Sequence, residues 1–253
     1  MENLDLIHYL ILFAVSILAG YIDAIVGGGG MLTLPSLIAC GMPPHAALAT
    51  NKFLAIFGSG TAAIRFASQG LIDFKAVWLG MVFAASGSVC GTWTILLLSP
   101  QVLHYIIPAL LIAIFFYTIF SPKLGDEAKV AKFNSNVFYT FFGFLMGFYD
   151  GFFGPATGSL WIFALVIFQG YTLKNASATT KAVNFASNFA SFAVWALNSQ
   201  VVWLVGGLMG LGQVFGAVLG SNAVLHHGAT FIRRLFLCVV IASIAKLVWG
   251  WFE

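Results

Sequence analysis

Two short stretches of the sequence place charged side chains and runs of glycine inside otherwise apolar surroundings. The first extends from Gly20 to Lys52 and reads GYIDAIVGGGGMLTLPSLIACGMPPHAALATNK; the second begins at Gly147 with GFYDGFFGPATG. A charge in an apolar, membrane-depth segment costs about 2.5 to 3.5 kcal/mol and is normally turned toward a cavity or a partner. These stretches are therefore the first place to look for binding chemistry.

Lys52 and Lys181 are the cations of the two stretches, and each follows polar residues. A pair of inward-facing lysines indicates coordination of an anion. Two alternatives stay open, namely ion pairs with the nearby aspartates and side chains that reach the membrane surface. The polar residues before the lysines are included in the candidate site: Thr50, Asn51 and Thr180.

Asp23 and Asp150 are the acidic residues of the same stretches. Each could cap a helix end, act as the counter-ion of a lysine, or carry the proton or ion that couples transport. The sequence leaves these three roles open.

The glycine runs predict two breaks in the helices. Each glycine of Gly27–Gly30 costs about 1 kcal/mol relative to alanine in a helix, and GPATG at 154–158 supplies a second break. Broken backbone at membrane depth lies inside the protein or lines a cavity, and the helix that follows offers N–H groups to an anion. A tight turn is the alternative. Candidate residues are Gly28, Gly29, Gly30, Pro155, Thr157 and Gly158.

A polar face follows Lys181 in the second stretch. Asn184, Ser187 and Asn188 recur at helical spacing, and the first stretch has no equivalent amides. We interpret Asn184 and Asn188 as part of a site for an asymmetric solute, with polar helix–helix contact as the alternative.

Composition places the protein in a membrane. Of 253 residues, 60% are hydrophobic and only 8% charged, and apolar windows near the roughly 20 residues that cross a bilayer recur along the chain. The net charge of +3 is scattered, so nucleic-acid binding is not expected. No nucleotide loop, metal pattern or catalytic cluster is present in the sequence, which argues for a protein without a cofactor and against an enzyme.

The two halves of the chain match each other. Asp23 and Asp150 are 127 residues apart (150 − 23), Lys52 and Lys181 are 129 apart (181 − 52), and flanking residues agree. We therefore predict two transmembrane repeats, 1–121 and 137–253, joined by a polar cytoplasmic linker at 122–136, within one integrated domain.

The predicted fold is an all-α integral membrane protein with broken or re-entrant helices. Five segments per half would invert one repeat relative to the other, as in secondary transporters; eight spans, four plus four, are the alternative if 30–41 and 157–170 re-enter. With five per half, the basic loops share one side, which the positive-inside rule makes cytoplasmic. The predicted segments are 5–26, 30–41, 44–67, 74–98, 102–121, 134–154, 157–170, 174–197, 200–223 and 229–252.

The stretch from Gly20 to Lys52 resembles the sulfite exporter TauE/SafE family of membrane permeases, and the resemblance continues through the second copy. It implies secondary transport of sulfite, a sulfonate or another sulfur-containing or organic anion across the plasma membrane. For a carrier of this kind, a proton or a sodium ion is the candidate coupling ion. A passive anion channel is the nearest rival, and a membrane-embedded enzyme a more distant one.

Overall fold

The computed structural model describes residues 5–103, 105–107, 109, 128–198 and 200–226, and all regular structure in these ranges is helical. The predicted segments 102–121 and 229–252 lie largely outside them. Eight helices are bounded within the described part of the chain: α1 Leu6–Val26, α2 Gly30–Ala39, α3 Pro44–Ser68, α4 Phe74–Leu96, α5 Ser135–Phe152, α6 Thr157–Phe168, α7 Leu173–Leu197 and α8 Trp203–His226.

Both predicted breaks are present. Helix α1 ends at Val26 because Gly27 adopts a left-handed conformation, with φ +76°, and its N–H bonds to the carbonyl of Asp23. The second break carries two left-handed residues, Gly154 with φ +100° and Ala156 with φ +64°. A side chain is rarely tolerated in this region of backbone space, so the glycines determine where α1 and α5 stop.

Each of the two short helices runs back toward the end of the bundle at which the preceding long helix begins. Leu34 and Leu37 of α2 pack in a cluster with Leu12, from the first half of α1. Leu165 of α6 packs in a second cluster with Tyr139, from the start of α5. With 10 and 12 residues, α2 and α6 are only about 15 and 18 Å long. Each therefore covers about half of the roughly 30 Å hydrocarbon core.

Basic residues gather at one end of the bundle. Arg65, at the end of α3, bonds to Ser221 of α8, and Lys174, at the start of α7, bonds to the carbonyl of Leu225. The linker joins the same end, because the backbone N–H of Lys129 donates to Gly170, which precedes α7. Arg65, Lys129 and Lys174 therefore share one end of the bundle, and the cytoplasmic orientation of that end stays a prediction.

Within the described ranges, three helices, α1, α4 and α8, are long and apolar enough to span a membrane. Helices α3 and α7, with 25 residues each, are long enough but bury polar side chains, including Lys52 and Lys181. The polar face that lowers their hydropathy points into the protein, so these two helices contribute both lysines and all three asparagines of the candidate site.

Glycines allow close packing between α1 and α8 and between α4 and α5. A Cβ built on Gly216 of α8 would overlap the carbonyl of Ile17 in α1, and one on Gly151 of α5 would overlap the carbonyl of Ser88 in α4. In lipid, small residues of this kind let helix backbones approach each other.

Gly216→Ala is therefore expected to destabilise the protein by about 1 to 3 kcal/mol, because the added methyl group must separate α8 from α1. The matched control is Gly207→Ala in the same helix, where a Cβ meets nothing within 4 Å; it should be neutral or stabilising by up to about 1 kcal/mol. Unfolding in detergent micelles titrated with SDS measures both. Equal effects would contradict the packing described for α8.

Candidate functional site

The two helix breaks lie against each other inside the protein. A Cβ on Gly27 would overlap the backbone of Gly158, and a Cβ on Gly30 would lie 3.3 Å from the Cα of Pro155. The hydroxyl of Ser159 donates to the carbonyl of Val26 at 2.7 Å, so the start of α6 is bonded to the end of α1. The starts of α2 and α6 consequently face one region.

Two buried ion pairs connect the halves of the chain crosswise at this region. Lys52 Nζ lies 2.7 Å from Asp150 Oδ1, and Lys181 Nζ lies 3.0 Å from Asp23 Oδ2. Neither lysine reaches the membrane surface, since their side chains are 2% and 0% exposed. The structure therefore shows the ion-pair alternative. Coordination of an anion by these lysines stays a prediction.

The aspartates also bind the beginnings of the short helices. The N–H of Gly29 donates to Asp23 at 3.3 Å, and the hydroxyl of Thr157 donates to Asp150 at 3.2 Å. Asp150 accepts a further hydrogen bond from Ser187. Two of the three roles considered for the aspartates, cap and counter-ion, are thus seen together, while the role in coupling stays a prediction.

Gly154 makes room for the first ion pair. A Cβ at this position would lie 2.7 Å from the Nζ atom of Lys52. The second break therefore provides both the left-handed backbone and the space through which Lys52 reaches Asp150.

A small cavity lies between the breaks, with about 40 Å³ open to the centres of water molecules. Because one water needs about 10 to 15 Å³ by this measure, the cavity has room for a few waters. Ten of the sequence-predicted site residues line it: Asp23, Gly29, Gly30, Asn51, Lys52, Asp150, Thr157, Gly158, Asn184 and Asn188.

Five predicted residues do not line the cavity. Thr50 accepts a hydrogen bond from the N–H of Val202 at 3.0 Å and so holds the chain before α8. The carbonyl of Pro155 accepts from the Tyr149 hydroxyl at 2.7 Å. The remaining three residues, Gly28, Thr180 and Lys181, are not among the residues that line the cavity.

Two asparagines direct amide groups at the starts of the short helices. Asn51 accepts a hydrogen bond from Thr33 through Oδ1, which leaves its NH₂ group 3.7 Å from a Cβ built on Gly30. The NH₂ group of Asn184 lies 3.0 Å from a Cβ built on Gly158, and its Oδ1 is buried with no hydrogen-bond partner among the described residues. The carboxamide of Asn184 thus lies beside the start of α6, and its binding of a solute stays a prediction.

Gln213 is a cavity residue that the sequence analysis missed. It comes from α8 and is 3% exposed, and its Oε1 atom lies 3.0 Å from a Cβ built on Gly20. A Cβ on Gly58 would overlap the same carboxamide. The signal for Gln213 was a lone amide between the glycines of an apolar helix, a pattern that packing alone also produces.

The cavity combines helix starts, amide donors and paired charges inside an apolar helical bundle, which is the kind of site that membrane transporters place between broken helices. A family profile described as "Sulfite exporter TauE/SafE" matches residues 12–247. The chain therefore belongs to the TauE/SafE family of membrane transporters, as the resemblance predicted.

Curated relatives agree over nearly the whole chain. A "Probable membrane transporter protein" of Haemophilus influenzae is 40% identical over 249 residues, covering 96% of each chain. "Probable membrane transporter protein YfcA" of Escherichia coli K12 is 39% identical over 239 residues, covering 94% of this chain and 89% of the relative. No solved structure matches this chain.

Proposed function

We propose that this protein is a secondary transporter of a small anion, with sulfite, a sulfonate or another sulfur-containing or organic anion as the candidate solutes. The observation that carries the proposal is the meeting of two helix starts at one buried cavity. Helix starts have N–H groups without intrahelical partners and favour negative charge. The amides of Asn51 and Asn184 add further donors beside them.

Charge balance in the cavity suggests how transport is coupled. Two lysines and two aspartates cancel one another, so a bound monoanion would leave one uncompensated negative charge in a buried site, which is costly. A proton or a sodium ion taken with the anion would restore neutrality. Asp23 is the better placed carboxylate, since its side chain is 20% exposed whereas that of Asp150 is 4% exposed.

In this mechanism a proton on Asp23 weakens the ion pair between Asp23 and Lys181. The positive charge of Lys181 then balances the negative charge of the anion. An imposed pH difference should drive uptake into proteoliposomes without any sodium gradient. Uptake that depends on a sodium gradient and not on a pH difference would instead assign sodium as the coupling ion. The protonation of Asp23 would then not be part of the mechanism.

The proposed transport cycle is alternating access between two inverted repeats. Four helices on each side of the linker follow one order of lengths, long, short, long, long, and the crosswise ion pairs lie where the two sets meet. Rocking of one repeat against the other would open the cavity to each side in turn. In the cell, we place the protein in the plasma membrane with the basic end in the cytoplasm.

Asn184→Ala tests the site. Hydrogen bonds to charged groups contribute about 1.5 to 3 kcal/mol, so uptake efficiency should fall by about ten- to a hundredfold, while stability changes little because Oδ1 has no partner among the described residues. Uptake of radiolabelled sulfite, sulfonates, thiosulfate and carboxylates into proteoliposomes measures the effect.

The matched control for this experiment is Asn175→Ala, an exposed asparagine near the start of the same helix, which should transport as the wild type does. If Asn184→Ala carries every anion of the panel at the wild-type rate, the cavity is not the solute site.

A further inference from the structure

A second cavity, of about 370 Å³, lies at the basic end of the bundle. It is formed where α3 and α8 end and α7 begins, and Arg65, Lys174, Asn222 and His226 line it. It shares no residue with the cavity between the helix breaks. Along α3, Arg65 is six residues from Ser59 of the first cavity, which corresponds to about 9 Å.

Among the described residues, no acidic side chain balances the charge of this second cavity. No acidic residue lines it, and within the described ranges neither Arg65 nor Lys174 forms an ion pair. The partners of Arg65 are neutral: its Nε donates to the Ser221 hydroxyl at 2.8 Å, and its Nη2 donates to Asn222 Oδ1.

Several donors in the cavity have no partner among the described residues. A guanidinium has five N–H groups, of which Arg65 uses two. Lys174 uses one of its three, at 3.4 Å to the carbonyl of Leu225. The Nδ1 atom of His226 lies 2.8 Å from the carbonyl of Asn222 and therefore donates to it, which leaves Nε2 open.

The two bonds of Arg65 also determine how its guanidinium points. They hold the planar group against α8 instead of leaving it to extend into the membrane surface, so that its remaining N–H groups form a fixed edge. Such an edge matches two oxygens of a phosphate or sulfonate in a bidentate arrangement.

We propose that this cavity is a second anion site, which binds a tetrahedral oxyanion between Arg65 and Lys174. The proposal does not depend on the transport function proposed above. Two sources could supply the oxyanion, namely the headgroup of an anionic phospholipid and a free anion in solution. Basic pockets between membrane helices at the cytoplasmic side are known to suit the former.

Calorimetric titration of the full-length protein in phospholipid-free detergent tests the proposal. The probes are sodium phosphate and short-chain dihexanoyl phosphatidylglycerol, with dihexanoyl phosphatidylcholine as the neutral-headgroup control. Wild type should bind at least one of the two anionic probes. Tighter binding of phosphatidylglycerol than of phosphate identifies a lipid site, and the reverse order identifies a site for a free oxyanion.

Three variants assign the binding to this cavity. Lys174→Gln and Arg65→Gln should each weaken it by about tenfold or more, whereas Lys75→Gln, an exposed lysine at the start of α4, should not. If Arg65→Gln fails to fold because its bonds to α8 are lost, probe binding by Lys174→Gln is the measurement that tests the assignment.

Asn184→Ala separates this site from the first cavity and should bind the probes as the wild type does, even if it no longer transports. Failure of wild type to bind either anionic probe would overturn the proposal. Undiminished binding by Lys174→Gln would overturn it as well.

Discussion

Lys52→Met is expected to destabilise the protein by about 3 to 5 kcal/mol, the usual cost of leaving one member of a buried ion pair without its partner. Asp150, 2.7 Å from Lys52 and 4% exposed, would keep its bonds from Thr157 and Ser187 but lose the cation that balances its charge. The free energy of unfolding in SDS-titrated micelles measures the loss.

The double variant Lys52→Met/Asp150→Asn should recover most of this stability, because no uncompensated charge remains in the protein interior. It should not recover transport, since Lys52 is a predicted ligand of the anion. Lys75→Met is the matched control at an exposed position and should leave stability and uptake unchanged. A double variant that transports normally would show that the Lys52–Asp150 pair serves the fold alone.

Gly27→Ala is the second variant with a large expected effect. The residue has φ +76°, and a Cβ would overlap the backbone of Gly158. A left-handed alanine costs about 1 to 2 kcal/mol and overpacking about 1 to 3 kcal/mol, so we expect a total loss of about 2 to 5 kcal/mol, measured as the free energy of unfolding.

The neighbouring glycine is the control for this variant. A Cβ on Gly28 would lie 3.7 Å from Ile22 and 3.8 Å from Met31, both ordinary contacts, so Gly28→Ala should lose less than about 1 kcal/mol. Similar losses in the two variants would mean that the starts of α2 and α6 do not meet at Gly27 and Gly158.

Local chemistry made the breaks predictable from the sequence. Four consecutive glycines and the GPATG stretch are poor helix formers, and the structure places the ends of α1 and α5 beside them. The bounds of the described helices also follow the predicted segments to within a few residues, because apolar length and the glycine and proline positions are local properties.

The partners of the lysines could not be predicted in the same way. Lys52 is 98 residues from Asp150, and Lys181 is 158 residues from Asp23. The side chain that a lysine meets depends on how α1, α3, α5 and α7 pack together, which no local pattern determines. The sequence therefore left ion pairing and anion coordination as alternatives.

Gln213 and the basic cavity could not be predicted from the sequence for the same reason. Gln213 enters the site only because Gly20 and Gly58, on two other helices, make room for its carboxamide. In the sequence alone, Arg65 and Lys174 cannot be told apart from other basic residues near helix ends. Only the packing of α3, α7 and α8 places them in one cavity. Both features depend on contacts between helices that are far apart in the sequence.

Solute counterflow is the most direct test of the proposed transport function. Proteoliposomes preloaded with an unlabelled anion from the panel of sulfite, sulfonates, thiosulfate and carboxylates receive a trace of the same anion in radiolabelled form. We predict that uptake of at least one anion saturates with concentration and is accelerated by the preloaded anion, because a carrier returns faster when its site is occupied. Flux that neither saturates nor responds to preloading, or no flux for any anion of the panel, would contradict it.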